Sequence, residues 1–277
     1  MDERWIEANR ANWDQRAPLH AARDGSGYDV RRYVADRELL SDVVRHDLPL
    51  LGDIAGLRAV HLQCHIGTDT VSLSRLGARV TGLDFSEASI REARALAAEA
   101  GDDVAFVRSD VHAAASVLPE GAFDLVYTGI GALCWLPRIV DWSDVVARLL
   151  APGGSLFLRE AHPILWAMDE TLSDDLHLRF PYFEHEEPLE WADGDTYVPT
   201  TEKPVLGKTY EWNHGLGEIV TALIRSGLRI DLLVEHESVP WEALPGQMTL
   251  RPDGEWVLTE RAGVAPLSYT LRASKPV

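Results

Sequence analysis

The stretch VHLQCHIGTDT, residues 60–70, decides the fold. It begins inside the run RAVHLQC, which predicts a buried β-strand, and passes through a single glycine, Gly67, into a helical pattern, DTVSLSRLG. We expect Thr68 to cap this helix and Gly77 to end it. A strand, a short polar turn and a helix are the first unit of an α/β protein.

The same alternation continues beyond this stretch. The strand pattern ARVTGLD ends in Asp84, and the next helical pattern opens at Ser86 and stops at Gly101. Three more strand patterns, DVAFVRSD, FDLVYTG and SLFLRE, follow, and GLGEIVTALIRSG, LRIDLLVEH and APLSYTLRAS close the chain. Strands that alternate with helices predict an α/β fold, a doubly wound and mostly parallel sheet covered by helices.

Composition and charge exclude several classes of protein. The 277 residues are 46% hydrophobic and 25% charged, which is typical of a globular protein. The formal net charge is -18, and no run of Lys or Arg could neutralise a row of phosphates, so we expect neither a nucleic-acid partner nor an anionic membrane. The N-terminus lacks an apolar signal segment, which predicts a cytoplasmic protein. The sequence contains no signal for an oligomeric state.

Cysteine and histidine spacing predicts neither a disulfide framework nor a metal site. The two cysteines, Cys64 and Cys134, form no CxxC pair, and no HExxH or tight His/Cys cluster occurs. We expect both thiols to be free and buried.

The order of these elements resembles the class I S-adenosylmethionine-dependent methyltransferase fold. The resemblance implies a Rossmann-like sheet of seven strands, in which the last strand inserts antiparallel between the fifth and the sixth. It further implies that residues 51–162 and 215–277 form the S-adenosylmethionine-binding domain. Residues 1–50 would form an N-terminal helical cap, and residues 163–214 an inserted lid.

The first motif of that family usually follows the pattern V-L-D-L-G-C-G-T-G, and here it falls on residues 59–67. His61 occupies the acidic position, and Gln63 and His65 occupy two of the glycine positions. The remaining glycine, Gly67, would let the backbone approach the cofactor. Gln63 and His65 either hydrogen-bond the cofactor or fill the space that the two glycines would leave.

The later motifs of the family place acids after the second and third strands. Asp84 would bind the ribose hydroxyls, because a carboxylate accepts two hydrogen bonds from fixed positions. Phe85 would lie against the adenine, and Asp110, with the Val111 backbone, would bind the adenine amino group. The segment FDLVYTGIGALCWL resembles the fourth motif, beside the sulfonium and the methionine end. The cofactor-binding residues that the resemblance implies are Gln63, His65, Gly67, Asp84, Phe85, Ser86, Asp110, Val111, Thr128 and Gly129.

The irregular segment 163–214 is too long for a plain loop, which predicts a lid or substrate region. Its aromatic residues either form a small core of the lid or line an apolar substrate pocket. These aromatic residues, together with one that precedes the segment, are Trp135, Trp166, Phe180, Tyr182, Phe183, Trp191, Tyr197, Tyr210 and Trp212. We expect Trp135, Trp166, Tyr182 and Trp212 to bind substrate.

Two histidines lie where a catalytic base would be useful. His162 follows the fifth strand and His214 precedes the next helix, and each is either a general base or a structural hydrogen-bonding group. The amphipathic N-terminal segment, with Trp13, Arg16, Tyr28 or Tyr33, either closes over the cofactor or only packs on the fold. These two questions stay open from the sequence.

Together, these features predict methyl transfer from S-adenosylmethionine to an O, N or C atom of a small aromatic or apolar molecule. A nicotinamide-dependent Rossmann oxidoreductase is the first alternative, but the chain lacks GxGxxG. The second alternative is a non-catalytic binding protein that keeps the fold after losing two glycines. The intact acids Asp84 and Asp110 argue against it.

Overall fold

A computed structural model describes residues 3–192, 196, 198, 200 and 206–277. Tyr197, one of the aromatic residues predicted for the lid, lies outside the described residues. The helices are α1 (Glu3–His20), α2 (Arg31–Ala35), α3 (Asp42–Leu51), α4 (Thr68–Arg75), α5 (Glu87–Ala100), α6 (Ala114–Val117), α7 (Ile139–Leu149), α8 (Pro163–Trp166) and α9 (Leu216–Arg225). The strands are β1 (Arg58–Leu62), β2 (Arg79–Asp84), β3 (Ala105–Arg108), β4 (Phe123–Thr128), β5 (Leu150–Ala161), β6 (Leu189–Trp191), β7 (Thr209–Glu211), β8 (Arg229–His236), β9 (Ser238–Val239), β10 (Met248–Leu250), β11 (Trp256–Leu258) and β12 (Ser268–Ser274).

The main sheet confirms the predicted architecture. Its seven strands are ordered β3-β2-β1-β4-β5-β12-β8. The first five strands in this order pair in parallel, and β12 lies antiparallel between β5 and β8. Because the order reverses between β1 and β4, the carboxyl ends of these two strands flank a crevice, which is where doubly wound sheets bind ligands.

Local signals are confirmed at α5, whereas the predicted N-cap of α4 is wrong. The Ser86 side chain accepts a hydrogen bond from the Ser89 N–H at the start of α5, and Gly101 ends the helix in the left-handed conformation. At α4, Gly67 takes the N-cap position and Thr68 is already helical, so Thr68 is not the cap. The residue at the cap has φ 81°, which a threonine would adopt only with strain.

Two small sheets were not predicted. β6 pairs with β7. In the part of the chain that connects β8 to β12, strands β9, β10 and β11 form a three-stranded antiparallel sheet. Each of their strands has only two or three residues, too few to show a period-two pattern in the sequence.

Helix α1 docks on the sheet domain through polar side chains. Its buried residues include Asn9, Asn12 and Arg16. Asn9 exchanges hydrogen bonds with the backbone of Tyr210 on β7, at 2.7 and 2.8 Å. Asp14 accepts hydrogen bonds from the Ser86 hydroxyl (2.6 Å) and the Ala88 N–H (3.0 Å) at the N-terminus of α5. Directed polar contacts therefore fix the position of this N-terminal helix on the sheet domain.

A buried charged cluster joins α3 to the C-terminal strands. The fully buried Arg159 of β5 donates to Glu255 (2.7 Å), and Ser238 donates to the same carboxylate. Asp47 of α3 accepts from the Tyr127 hydroxyl at 2.6 Å and lies 4.0 Å from Arg159. Removing one partner of such a cluster leaves a buried charge uncompensated, so these contacts hold α3 firmly beside the sheet.

Of the helices in the described part of the chain, none has the length and apolar content needed to cross a membrane.

Candidate cofactor and acceptor site

The loop after β1 keeps a glycine-type backbone without the glycines. Gln63 and His65 both have positive φ, 56° and 49°, in the left-handed region. This conformation costs about 1–2 kcal/mol in a residue with a side chain. The two residues stand where the family motif has glycine, so the loop keeps its conformation despite the substitutions.

The two side chains of this loop are engaged with protein groups. The Gln63 amide donates to the Ala132 carbonyl at 2.9 Å. The His65 Nε2 shares a 2.7 Å hydrogen bond with Nδ1 of His20, and its Nδ1 lies 3.1 Å from the Ser89 hydroxyl. Burial lowers the pKa of His20 to about 2 and that of His65 to about 3, so both rings are neutral. His65 thereby joins the loop to helix α1.

Asp84 holds the same loop from the end of β2. One carboxylate oxygen accepts from the His65 N–H at 2.9 Å and the other from the Ser86 N–H at 2.9 Å. Burial raises the pKa of Asp84 to about 6, although these two backbone hydrogen bonds oppose the shift. Each oxygen keeps a further lone pair, so the carboxylate can still accept two hydroxyl groups.

The next strand end presents Asp110. Its carboxylate accepts from the N–H and the ring Nδ1 of His112, at 2.8 and 2.9 Å. Burial alone would raise the pKa of Asp110, but the hydrogen bonds and charge of His112 outweigh it and lower the pKa. Asp110 is therefore an ionised acceptor at this edge of the sheet.

A cavity of about 990 Å³ opens at the carboxyl ends of the strands. Its volume lies at the upper end of the range for ligand pockets, about 300–1,000 Å³. The predicted residues that line it are Gln63, His65, Asp84, Phe85, Asp110, Val111, Gly129, Trp135, Trp166 and Trp212. The structure therefore brings the predicted cofactor loop and most of the predicted substrate residues to one cavity.

Three predicted cofactor residues do not line this cavity. A Cβ on Gly67 would come within 2.9 Å of the Ala93 Cβ, so this glycine serves close packing of the loop on α5 and β3. Ser86 is fully buried and caps α5. Thr128 is also fully buried within the sheet. In this geometry the three residues serve packing or capping, and their predicted contact with the cofactor stays a prediction.

Neither predicted base reaches the cavity. The His214 Nε2 lies 3.1 and 2.8 Å from the Leu133 and Leu136 carbonyls, and its Nδ1 lies 2.9 Å from Glu184. In His162, Nδ1 accepts from the Ile164 N–H and caps α8, while Nε2 lies 3.1 Å from Glu235. Both rings hold backbone in place, which favours the structural alternative, and the role of a general base stays a prediction.

Tyr182 also lies outside the cavity lining. Its hydroxyl accepts from the Leu216 N–H at 3.3 Å, and its ring lies against Gly215, at the start of α9. The Tyr182 side chain thus contacts the start of α9, and its role in substrate binding stays a prediction.

The N-terminal cap contributes an arginine to the cavity. The Arg16 guanidinium lies 5.3 Å from the Trp13 ring and 6.0 Å from the Trp135 ring, and its Nε donates to Asn12 at 2.6 Å. In the part of the chain that the structure describes, its two terminal nitrogens donate no hydrogen bond. Trp13, Tyr28 and Tyr33 line the cavity beside it. These four residues were open candidates in the sequence, and the structure brings them all to the cavity.

Sequence reasoning missed the carboxylate that holds the loop after β4. Glu160 is buried and accepts from the backbone N–H groups of Gly131 (2.6 Å), Ala132 and Leu133 (both 2.8 Å). In the same loop, the Trp135 indole N–H donates a hydrogen bond to the Gly131 carbonyl, at 2.9 Å. An acid at the end of a strand pattern, SLFLRE, was the only signal for it.

The far wall of the cavity also contains residues that the sequence did not single out. Trp241, in the loop after β9, stacks on Trp166 with ring centroids 5.9 Å apart and planes at 27°. Leu165 and Met168 lie on the same wall. Trp241 belongs to the segment between β8 and β12, whose short strands gave no periodic signal.

Comparison with known proteins matches this architecture. A family model described as a methyltransferase domain matches residues 60–156. A ubiquinone biosynthesis O-methyltransferase of Nitrosococcus oceani is 34% identical over 104 residues, 38% of this chain and 43% of that protein. The corresponding protein of Dechloromonas aromatica is 29% identical over 58% of this chain and 77% of its own. This chain thus spans less than half of the Nitrosococcus protein.

Solved structures support the same assignment. An S-adenosylmethionine-dependent methyltransferase from Mesorhizobium loti superposes with a TM-score of 0.57 at 26% identity, over 85% of this chain and 98% of that one. A further one from Listeria monocytogenes, at 19% identity and a TM-score of 0.60, shares the fold over 85% of this chain and 97% of its own. The fold and the matching family model are those of the class I S-adenosylmethionine-dependent methyltransferases.

Proposed function

We propose that this protein transfers a methyl group from S-adenosylmethionine to an O, N or C atom of a small aromatic or apolar acceptor. The observation that carries the proposal is that one cavity joins the loop at Gln63 and His65 to a wall that contains Trp166 and Trp241. A methyl donor and its acceptor must lie in contact, so a shared cavity is the arrangement that the reaction needs.

The residues of the cavity fit the cofactor chemically. Asp84 has free lone pairs for vicinal ribose hydroxyls, and Asp110 can accept from an adenine amino group. Phe85, which is next to Asp84, offers an apolar ring to a purine. Arg16 supplies a guanidinium suited to a carboxylate. The cofactor, when bound, supplies an activated methyl group on a sulfonium.

The wall away from the cofactor loop indicates the class of acceptor. Trp166 and Trp241 are stacked, and Leu165, Met168 and Phe180 also line the cavity. A wall of this composition favours a flat apolar molecule, because burial of apolar surface contributes about 25 cal/mol per Å². The names of the ubiquinone biosynthesis O-methyltransferases make a hydroxyl oxygen the first acceptor atom to test.

The protein's contribution to the reaction would be orientation and exclusion of water. Helix α1 covers the loop through the His20–His65 contact, and the Glu160 carboxylate fixes the loop after β4. Since His162 and His214 lie outside the cavity, the proposal assigns no base to them. An amine acceptor would react through its own lone pair, whereas a hydroxyl would have to lose its proton.

The test uses acceptors that share one aromatic body and differ in the nucleophilic atom. Purified protein is incubated with S-adenosylmethionine and either 2-naphthol, 2-naphthylamine or an aliphatic alcohol, and S-adenosylhomocysteine release is measured. We expect turnover with at least one aromatic acceptor and none with the aliphatic alcohol. For that acceptor, Trp166→Ala should raise KM without weakening S-adenosylhomocysteine binding.

Phe183→Ala is the matched control, because this aromatic side chain is 62% exposed and lies outside the cavity lining. It should leave KM unchanged. The proposed acceptor class is refuted if the aliphatic alcohol reacts as well as the naphthyl compounds, or if Trp166→Ala and Phe183→Ala behave alike. The cytoplasmic location, the division into cap, lid and main domain, and the lack of a nucleic-acid partner stay predictions from the sequence.

A further inference from the structure

Asp69 lies in the first turn of α4, and no basic side chain among the described residues forms an ion pair with its carboxylate. It lines the cavity together with His61. A Cβ built on Gly129 at the end of β4 would lie 3.5 Å from the Asp69 Oδ2 and 3.6 Å from the His61 Nε2. Both side chains therefore border Gly129, where the chain leaves the sheet.

His61 cannot supply charge at this point. It occupies the position where the family motif has an acid, and its Nδ1 lies 2.9 Å from the Thr70 hydroxyl. Burial lowers the pKa of His61 to about 3, so the ring is neutral and compensates no anion at ordinary pH. The negative charge missing from the end of β1 is present instead at Asp69 on the following helix.

The charge of Asp69 is compensated by the N-terminal dipole of α4 but by no basic side chain of the described residues. Among the residues that the structure describes, no Lys, Arg or His forms an ion pair with this carboxylate. Burial raises the pKa of Asp69, and the neighbouring Ser41 side chain opposes this shift. Asp69 is half-buried. Withdrawing a carboxylate from water without a cationic partner is unfavourable, so a cationic ligand group at this place would recover part of that cost.

We propose that Asp69 is the counter-ion of the α-ammonium group of the bound cofactor and replaces the acid lost at His61. The inference rests on the proposed function, because it requires S-adenosylmethionine or its product to bind in this cavity. Arg16 of the cap and Asp69 of α4 then offer charges of opposite sign to the carboxylate and the ammonium of one amino-acid moiety.

The test compares two ligands that differ only in the amino group. S-Adenosylhomocysteine carries it, and 5′-S-(3-carboxypropyl)-5′-thioadenosine lacks it. Calorimetry with the wild-type protein should show at least tenfold tighter binding of S-adenosylhomocysteine, since charge-assisted hydrogen bonds are the strong ones. In Asp69→Asn, the two ligands should bind within about threefold of each other.

Asp42→Asn is the matched control. It removes one negative charge from the same cavity lining, but its side chain is 61% exposed and pairs with Arg45. It should keep the wild-type preference between the two ligands. Asp69→Glu, which keeps the charge, provides a second variant if Asp69→Asn does not fold, and it should keep part of the preference.

Several outcomes overturn the inference. Equal affinity of the wild-type protein for the two ligands does so without any variant, and so does an unchanged preference in Asp69→Asn. Loss of affinity for S-adenosylmethionine but not for S-adenosylhomocysteine would place the carboxylate at the sulfonium instead. Failure of the folded wild-type protein to bind S-adenosylhomocysteine would refute the proposed function as well, which separates the two failures.

Discussion

Replacing His65 by glycine tests whether its side chain, or only its backbone, matters to the loop after β1. The backbone has φ 49°, so glycine relieves about 1–2 kcal/mol of strain, partly offset by about 0.5–1 kcal/mol of glycine chain entropy. Against this, the buried His20 loses its 2.7 Å partner, which costs about 1–3 kcal/mol. The ring contact with Trp13, at 4.9 Å, contributes about 0.5–1.5 kcal/mol more.

We therefore expect His65→Gly to lower the free energy of unfolding by about 2 kcal/mol, measured by urea titration. Gln63→Gly is the matched control, because it relieves the same type of strain and loses one hydrogen bond, to Ala132. It also removes a buried amide oxygen, Oε1, that has no partner. Gln63→Gly should be neutral or stabilising. A His65→Gly protein as stable as the wild type would refute the idea that the His20–His65 contact secures the cap.

Three further predictions concern pH and single side chains. The pKa of His65 is about 3 in the folded state and near 6.5 in the unfolded chain. The neutral ring therefore contributes its full share of stability above about pH 6.5. Below that pH, the contribution falls by up to about 1.4 kcal/mol per pH unit. His65→Gly should therefore show a shallower loss of stability between pH 6 and 4 than the wild type; parallel curves would contradict the neutral ring. Asp84→Asn should weaken S-adenosylhomocysteine binding at least tenfold in calorimetry. The affinity of the wild-type protein should also decrease when the pH is lowered past about 6, because this carboxylate is then protonated. An unchanged affinity would remove Asp84 from the ribose site. His214→Ala should lower the free energy of unfolding by about 1–3 kcal/mol, because two buried carbonyls lose their hydrogen-bond donor. The kcat of the folded fraction should stay near the wild-type value. A loss of kcat at full stability would support His214 as a base.

The main strands could be predicted because each is long enough to carry a pattern, and their order in the sheet was implied by the resemblance to the methyltransferase fold. The runs that became β1, β2 and β4 are apolar, end in polar turns and alternate with helices, and β12 took its place between β5 and β8. The two- and three-residue strands around Trp241 carry no such pattern and are held by tertiary contacts.

The site could be predicted where a residue type and a strand end coincide. Asp84 and Asp110 line the cavity as expected, because carboxyl ends of parallel strands meet at one edge. The direction of a side chain that follows a strand is not encoded in its position, and so the sequence left open whether His162 and His214 face the cavity. Asp69 was missed because an acid in the first turn of a helix has an ordinary explanation in the helix dipole.

The most direct measurement is calorimetric titration of the wild-type protein with S-adenosylhomocysteine and, separately, with NAD. The account predicts one S-adenosylhomocysteine bound per chain, weakened by Asp84→Asn, and no binding of NAD. A folded protein that binds NAD and not S-adenosylhomocysteine, or neither, would contradict it.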